Sequence, residues 1–138
     1  MESLKVNSTL IRLAINDSPN KIIQFDPGDV RFRKKFYNLR NVIFEKEREF
    51  DIKAKQLENI ESEENIKRCM QMEEELFDFL SNLINDLFGE KTTEYICEDR
   101  KNVDTICNFV IAVAPYFQKY NENARNKYVN NLKQSGVI

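Results

Sequence analysis

DVRFRKKFYNLRNVIFEKEREFDIKAKQL, Asp29 to Leu57, is the stretch that decides the fold. It contains neither glycine nor proline, the two residues a helix interior tolerates least. Phe32, Phe36, Leu39, Ile43, Phe50, Ala54 and Leu57 follow one another at steps of four, three or seven, which places them on one stripe of an α-helix. Phe36, Ile43, Phe50 and Leu57 keep strict seven-residue spacing, whereas the alternate seam positions fade from Phe32 and Leu39 to Lys46 and Lys53. The pattern predicts a long helix with a well-buried first half. Its second half is a narrow seam that needs a partner helix, from this chain or another. The charged run from Glu45 to Glu64 is expected to project into solvent. Upstream, Asp26-Pro27-Gly28 breaks the chain, and Asp29 is placed to accept the free N–H groups of the first turn as an N-cap.

Working outward towards the C-terminus, a second helix is expected from about Glu63 to Phe88. Ile66, Cys69, Met70, Phe77, Leu80, Leu83, Ile84, Leu87 and Phe88 give it a broad apolar face, and Gly89 is its C-cap. A short turn or helix follows near Thr92 to Glu98. The last helix is expected from Asn102 or Val103, with Ile106, Phe109, Val110 and Val113 inward. Pro115 removes one backbone hydrogen bond, so the helix should kink or restart there; Phe117, Tyr120 and Tyr128 continue it.

Working outward towards the N-terminus, Thr9-Leu10-Ile11-Arg12-Leu13-Ala14-Ile15 and Lys21-Ile22-Ile23-Gln24-Phe25 are two apolar, β-branched runs. Between them lies the turn cluster Asn16-Asp17-Ser18-Pro19-Asn20. This reads as a hairpin, which is marginal in water alone and must lean on helices or on another subunit. The expected fold is mainly α and forms one domain over residues 1–138. It has a β-hairpin region at 1–28, a bundle of three long helices at 29–134, the last kinked at its proline, and a frayed tail at 135–138.

The totals agree with that class. A chain of 138 residues has the size of one ordinary domain, and three Gly and three Pro are too few turn residues for a β-sandwich of this length. The formal charge of -2 does not favour nucleic acid or an anionic membrane. The start, Met1-Glu2-Ser3-Leu4-Lys5, lacks the basic opening of a signal peptide, and the uncharged stretch Thr105 to Gln118 is too short to span a bilayer. A soluble protein that stays in the cytoplasm where it is made is expected.

Much chemistry is missing. The chain has no histidine, the commonest general base and metal ligand. Gly28, Gly89 and Gly136 are too scattered for a phosphate-binding loop. Glu73-Glu74-Glu75 with Asp78 reads as a solvated acidic face rather than a metal site. Of three cysteines, Cys69 and Cys107 read as core packing and Cys97 as the most exposed. The expectation is a non-catalytic protein with no cofactor and no metal. Arg31-Phe32-Arg33-Lys34-Lys35-Phe36-Tyr37 is a basic-aromatic stretch of the kind single-strand binders use, but Phe32 and Phe36 are expected to point inward.

Ten Phe and five Tyr are a generous supply for a bundle of this size. Tyr37, Phe44, Phe117 and Tyr120 are the aromatics expected to stay partly exposed. Phe36, Tyr37 and Phe44 on one helix, with Phe117 and Tyr120 on the last, are the expected partner contacts.

Several segments resemble one family. Ile15-Asn16-Asp17-Ser18-Pro19-Asn20, then Ile23-Gln24-Phe25-Asp26-Pro27-Gly28-Asp29-Val30 and Phe36-Tyr37-Asn38-Leu39, look like the opening of small tail proteins of long-tailed phages and prophages of Gram-positive bacteria. Leu87-Phe88-Gly89 with Thr92 or Thr93, and Pro115-Tyr116-Phe117 before a polar tail helix, resemble that family's later elements. The resemblance spans about Ile11 to Tyr128. It implies a phage tail assembly chaperone, which binds the tape-measure protein before the tail tube assembles and is not kept in the virion. It also implies no catalytic residue and no cofactor, and homo-oligomers suit a long client. Two alternatives remain: a structural tail or connector protein retained in the particle, and a helical regulatory or nucleic-acid-binding protein.

Overall fold

The computed structural model describes residues 1–57 and 61–136. Two antiparallel strands, β1 (Ile11–Ala14) and β2 (Ile22–Phe25), are followed by α1 (Val30–Lys55), α2 (Glu63–Phe88), the short α3 (Thr92–Cys97) and α4 (Val103–Gln134). This is the mainly helical class with an N-terminal hairpin that the sequence predicts.

The hairpin pairs Ile11 with Phe25 and Ala14 with Ile22. Its strands are shorter than the apolar runs. Ile15 enters a 3-10 turn with Asn16 and Asp17, which take φ of 49° and 61°. Asn and Asp tolerate that left-handed region because their short polar side chains cost little there. Thr9 is instead taken by the helix start: its hydroxyl donates to the Asp26 carboxylate, which also accepts the Gly28 N–H at 2.8 Å. A Cβ on Gly28 would run into the Thr9 side chain, so only glycine fits this close approach. On β2, Ile23 and Phe25 are buried while Ile22 and Gln24 face out. The hairpin therefore leans on this chain's own helices, with Phe25 among the rings of Phe32, Phe88, Tyr116 and Phe117.

Each long helix starts on a cap. The Asp29 carboxylate accepts from the N–H of Arg31 at 2.9 Å and of Phe32 at 3.4 Å. Ser62 accepts from Asn65 N–H, and Asn102 from Thr105 N–H. Gly89, at φ 126°, closes α2 in a conformation that disfavours any side chain. α3 is pinned to α2 by Asn85, whose amide oxygen accepts the Thr93 N–H, and by the Thr93 hydroxyl, which donates to the Ser81 carbonyl. Pro115 lies inside α4, where it removes one i→i−4 bond without ending the helix.

The core is one cluster. Ile23 and Phe25 come from the hairpin, Phe36, Leu39 and Ile43 from α1, and Phe77, Leu80, Ile84 and Phe88 from α2. Cys97 comes from α3, and Ile106, Phe109, Val110, Val113 and Phe117 from α4. Phe36 and Phe117 stack at its centre, ring centroids 4.1 Å apart and nearly parallel. Two expectations are corrected here. Cys97 is buried rather than exposed, because α3 turns it under the Thr93 anchor. Phe117 is fully enclosed rather than partly exposed. The thinning seam of α1 finds its partner within the chain. Phe50 lines one open cleft together with Leu76 and Phe79 of α2, and the Lys46 ammonium lies 5.1 Å from the Phe79 ring centre. Along the charged run, Lys46 pairs with Glu49 and Lys55 with Asp51 in solvent; Glu58, Asn59 and Ile60 lie outside the described residues. The end of the expected frayed tail, residues 137–138, lies outside them too.

Candidate protein-binding site

Two surfaces flank α1. The first is an open groove of about 640 Å³ against α2. Phe32, Leu39, Val42, Leu83 and Leu87 line its floor, and Asp29, Arg31, Lys35 and Asp86 rim it. Apolar residues three, four and seven apart on both walls, framed by charges of both signs, are what a helix needs to bury one stripe. Sequence reasoning assigned Phe32, Leu39, Leu83 and Leu87 to helical core faces. Only Leu39 of these is buried, because the two helices leave their shared edge uncovered. The sequence reading did not single out this groove; the signal that could have found it is Val42, apolar and yet outside the main stripe of α1.

The second surface is the seam between α1 and α4. Asn121 donates from its amide to the Tyr37 hydroxyl at 2.8 Å. The Arg33 guanidinium lies 4.7 Å from the Tyr120 ring centre and that of Arg40 4.9 Å from Tyr37. Arg33 also donates to the Pro27 carbonyl, which ties the seam to the start of α1. At the other end of the seam the Cys107 thiol donates to the Glu47 carboxylate at 2.8 Å. Burial and that carboxylate push the thiol up to about 12, so it stays protonated and unreactive at neutral pH. Burial likewise raises Cys97. Between the two cross-links, Phe44 of α1 is 52% exposed and Ile111 of α4 is 62% exposed.

Of the five residues expected to touch a partner, Tyr37 and Tyr120 are brought together at the seam and Phe44 faces solvent beside it. Phe36 and Phe117 are not surface residues. Both have 0% exposure and form the floor beneath Tyr37, whose ring packs edge-on against Phe36 at 5.6 Å. Their expected role as contacts is corrected to one of support, since a ring enclosed on all sides offers nothing to another chain.

The acidic face of α2 is occupied by a base. Lys101 reaches Asp78 at 3.0 Å and Glu74 at 3.7 Å, and Asp78 above all raises its pKa. Among the described residues, no gathering of three or more cysteines and carboxylates is suited to a metal ion. Among the same residues, no helix is long and apolar enough to cross a membrane. Compared with protein-family models, with curated proteins and with solved structures, the chain finds no match in any of the three.

Proposed function

We propose that this chain is a non-catalytic protein-binding protein of the host cell cytoplasm. In particular, we propose a phage tail assembly chaperone that holds the tape-measure protein until the tail tube is built around it. The observation that carries the reading is the α1–α2 groove, an uncovered apolar trough with a rim of mixed charge. A tape-measure protein is long and helical, and its apolar stripes aggregate when left bare; such a trough covers one stripe at a time. The hairpin opening and the long helices accord with the resemblance drawn from the residues. No step of this role needs a cofactor, and the partner is protein rather than membrane or nucleic acid.

The test is capture of tape-measure segments by purified protein, with and without a charge in the groove. Val42 lies on the groove floor and is only half-buried, so Val42→Asp disturbs the trough more than the core. Capture should fall by about tenfold or more, the effect of losing roughly 1.4 kcal/mol of contact. Unchanged capture by a folded Val42→Asp variant refutes the groove as the client site.

The basic seam favours a second reading. From Val30 to Phe44, α1 carries Arg31, Arg33, Lys34, Lys35 and Arg40 and no acid. A helical nucleic-acid-binding protein would use such a face, and its signature is binding to DNA or RNA that weakens steeply with salt. Absence of binding at low salt removes that reading.

A further inference from the structure

Arg33, Tyr37, Arg40, Phe44 and Glu47 follow one another on α1 at steps of four and three, which places them on one stripe of the helix. Cys107, Ile111, Ala114, Gln118 and Asn121 do the same on α4. The hydrogen bonds from Asn121 to Tyr37 and from Cys107 to Glu47 set the two stripes side by side and antiparallel. The strip they form has a polar end at Tyr37 and an apolar middle, where Phe44 and Ile111 are each more than half exposed.

At the polar end a pocket of about 420 Å³ opens between the helices, with Arg33, Lys34, Tyr37 and Asn121 in its wall. Its donors outnumber its acceptors. The Tyr37 hydroxyl accepts from Asn121 and, among the described residues, donates to nothing, so its own proton is free. Arg33 gives one N–H to the Pro27 carbonyl, and Lys34 has neither a hydrogen bond nor an ion pair among the described residues. One turn further along the strip, the Arg40 Nε is enclosed by protein and has no acceptor. Glu122, next to Asn121 on α4, pairs with none of these three cations. Convergent donors around an arginine without a counterion are what a carboxylate needs.

We propose that this strip binds an acidic, apolar segment of a protein partner. A carboxylate enters the pocket of Arg33, Lys34 and Tyr37, and an apolar side chain covers Phe44 and Ile111. Tyr37 and Phe44 are seven residues apart, about 10 Å at 1.5 Å per residue. A bound helix therefore places its acid and its apolar residue seven apart. Nucleic acid fits the strip less well, for two reasons. Single-strand binders offer free ring faces to bases, but here the Arg33 guanidinium lies over Tyr120 and that of Arg40 over Tyr37. The charge also reverses beyond Phe44, at Glu45, Glu47 and Glu49, so a phosphate backbone following the strip would run into acids. The strip lies on the other flank of α1 from the client groove, and its occupancy is a separate question from the client reading.

The test is fluorescence anisotropy with the full chain and a labelled helical peptide. The peptide carries two glutamates one turn apart, with leucines seven residues to either side. It should bind, more weakly as salt rises, and the same peptide with glutamine for glutamate should bind at least tenfold more weakly. Lys34→Glu, an exposed change, should weaken the glutamate peptide at least tenfold and favour a lysine version instead. Phe44→Ala should weaken both the glutamate and the glutamine peptides. Absence of binding by the wild-type chain overturns the proposal, as does equal binding of the glutamate and glutamine peptides. So do folded Lys34→Glu or Phe44→Ala variants that bind as the wild type does. A loss of the same size in Val42→Asp places the peptide in the α1–α2 groove, and displacement of the peptide by a single-stranded oligonucleotide makes nucleic acid the occupant; either result overturns the proposal.

Discussion

Replacing Phe117 with alanine should cost this protein a large part of its stability. The ring is fully enclosed and stacks on Phe36 at 4.1 Å, on Phe25 at 5.4 Å and on Phe32 at 5.9 Å. Truncating a buried Phe to Ala costs about 3–5 kcal/mol, and each lost aromatic pair is worth about 0.5–1.5 kcal/mol beyond buried area. Three stacked neighbours put Phe117→Ala near the top of that range, about 4–5 kcal/mol. Domains of this kind hold about 5–15 kcal/mol in total. At about 3–4 °C per kcal/mol for a chain of this size, the thermal midpoint should fall by roughly 12–20 °C. The assay is urea and thermal unfolding followed by far- and near-ultraviolet circular dichroism. Phe117→Leu, which keeps most of the volume, should lose only about 1–1.5 kcal/mol. A Phe36→Ala, Phe117→Ala double mutant should show coupling of about 0.5–3 kcal/mol, because the two rings share one contact. If Phe117→Ala loses less than about 1 kcal/mol, the ring is not enclosed, and its place as a partner contact reopens.

Three further outcomes follow from the geometry. Asp29→Ala should cost about 1 kcal/mol, because it frees the Arg31 and Phe32 N–H groups; thermal unfolding reads it, and Asp29→Asn should recover most of the loss. Phe44→Ala should leave stability within about 1 kcal/mol, since the ring is half in water, yet weaken capture of the client or of a second copy; a large stability loss refutes the surface assignment. The Cys107 thiol is raised in the folded chain from about 9 to about 12, so its contribution to stability is complete below pH 9 and is lost as pH climbs towards 12. Maleimide labelling at pH 8 should accordingly reach Cys69 well before Cys97 or Cys107, and Glu47→Gln should speed labelling at Cys107 only.

Helix boundaries were the most legible part of this chain. Asp29, Ser62 and Asn102 each precede an apolar period, and Gly89 follows one, so caps and periodicity mark the same residues. The facing of individual aromatics was less legible. Ile106, Val110, Val113 and Phe117 keep steps of four, three and four, but Pro115 falls between the last two, where a kink or a restart is expected, and a restart would reset the register. The helix instead runs through the proline, and Phe117 stays on the core stripe. Cys97 was illegible for a different reason. A six-residue helix is too short to show a period, and its orientation is set by the hydrogen bonds from Thr93 to Asn85 and Ser81, which sequence spacing does not reveal. The groove depends on where α1 and α2 diverge, a property of two helices together rather than of either alone.

The most direct test of the chaperone account is co-expression of this chain with the product of the long reading frame that follows it, then size exclusion with light scattering. The account predicts that the long protein is insoluble alone, becomes soluble with this chain, and leaves the column bound to several copies of it. A long partner that is soluble without help, with this chain eluting separately, contradicts the account.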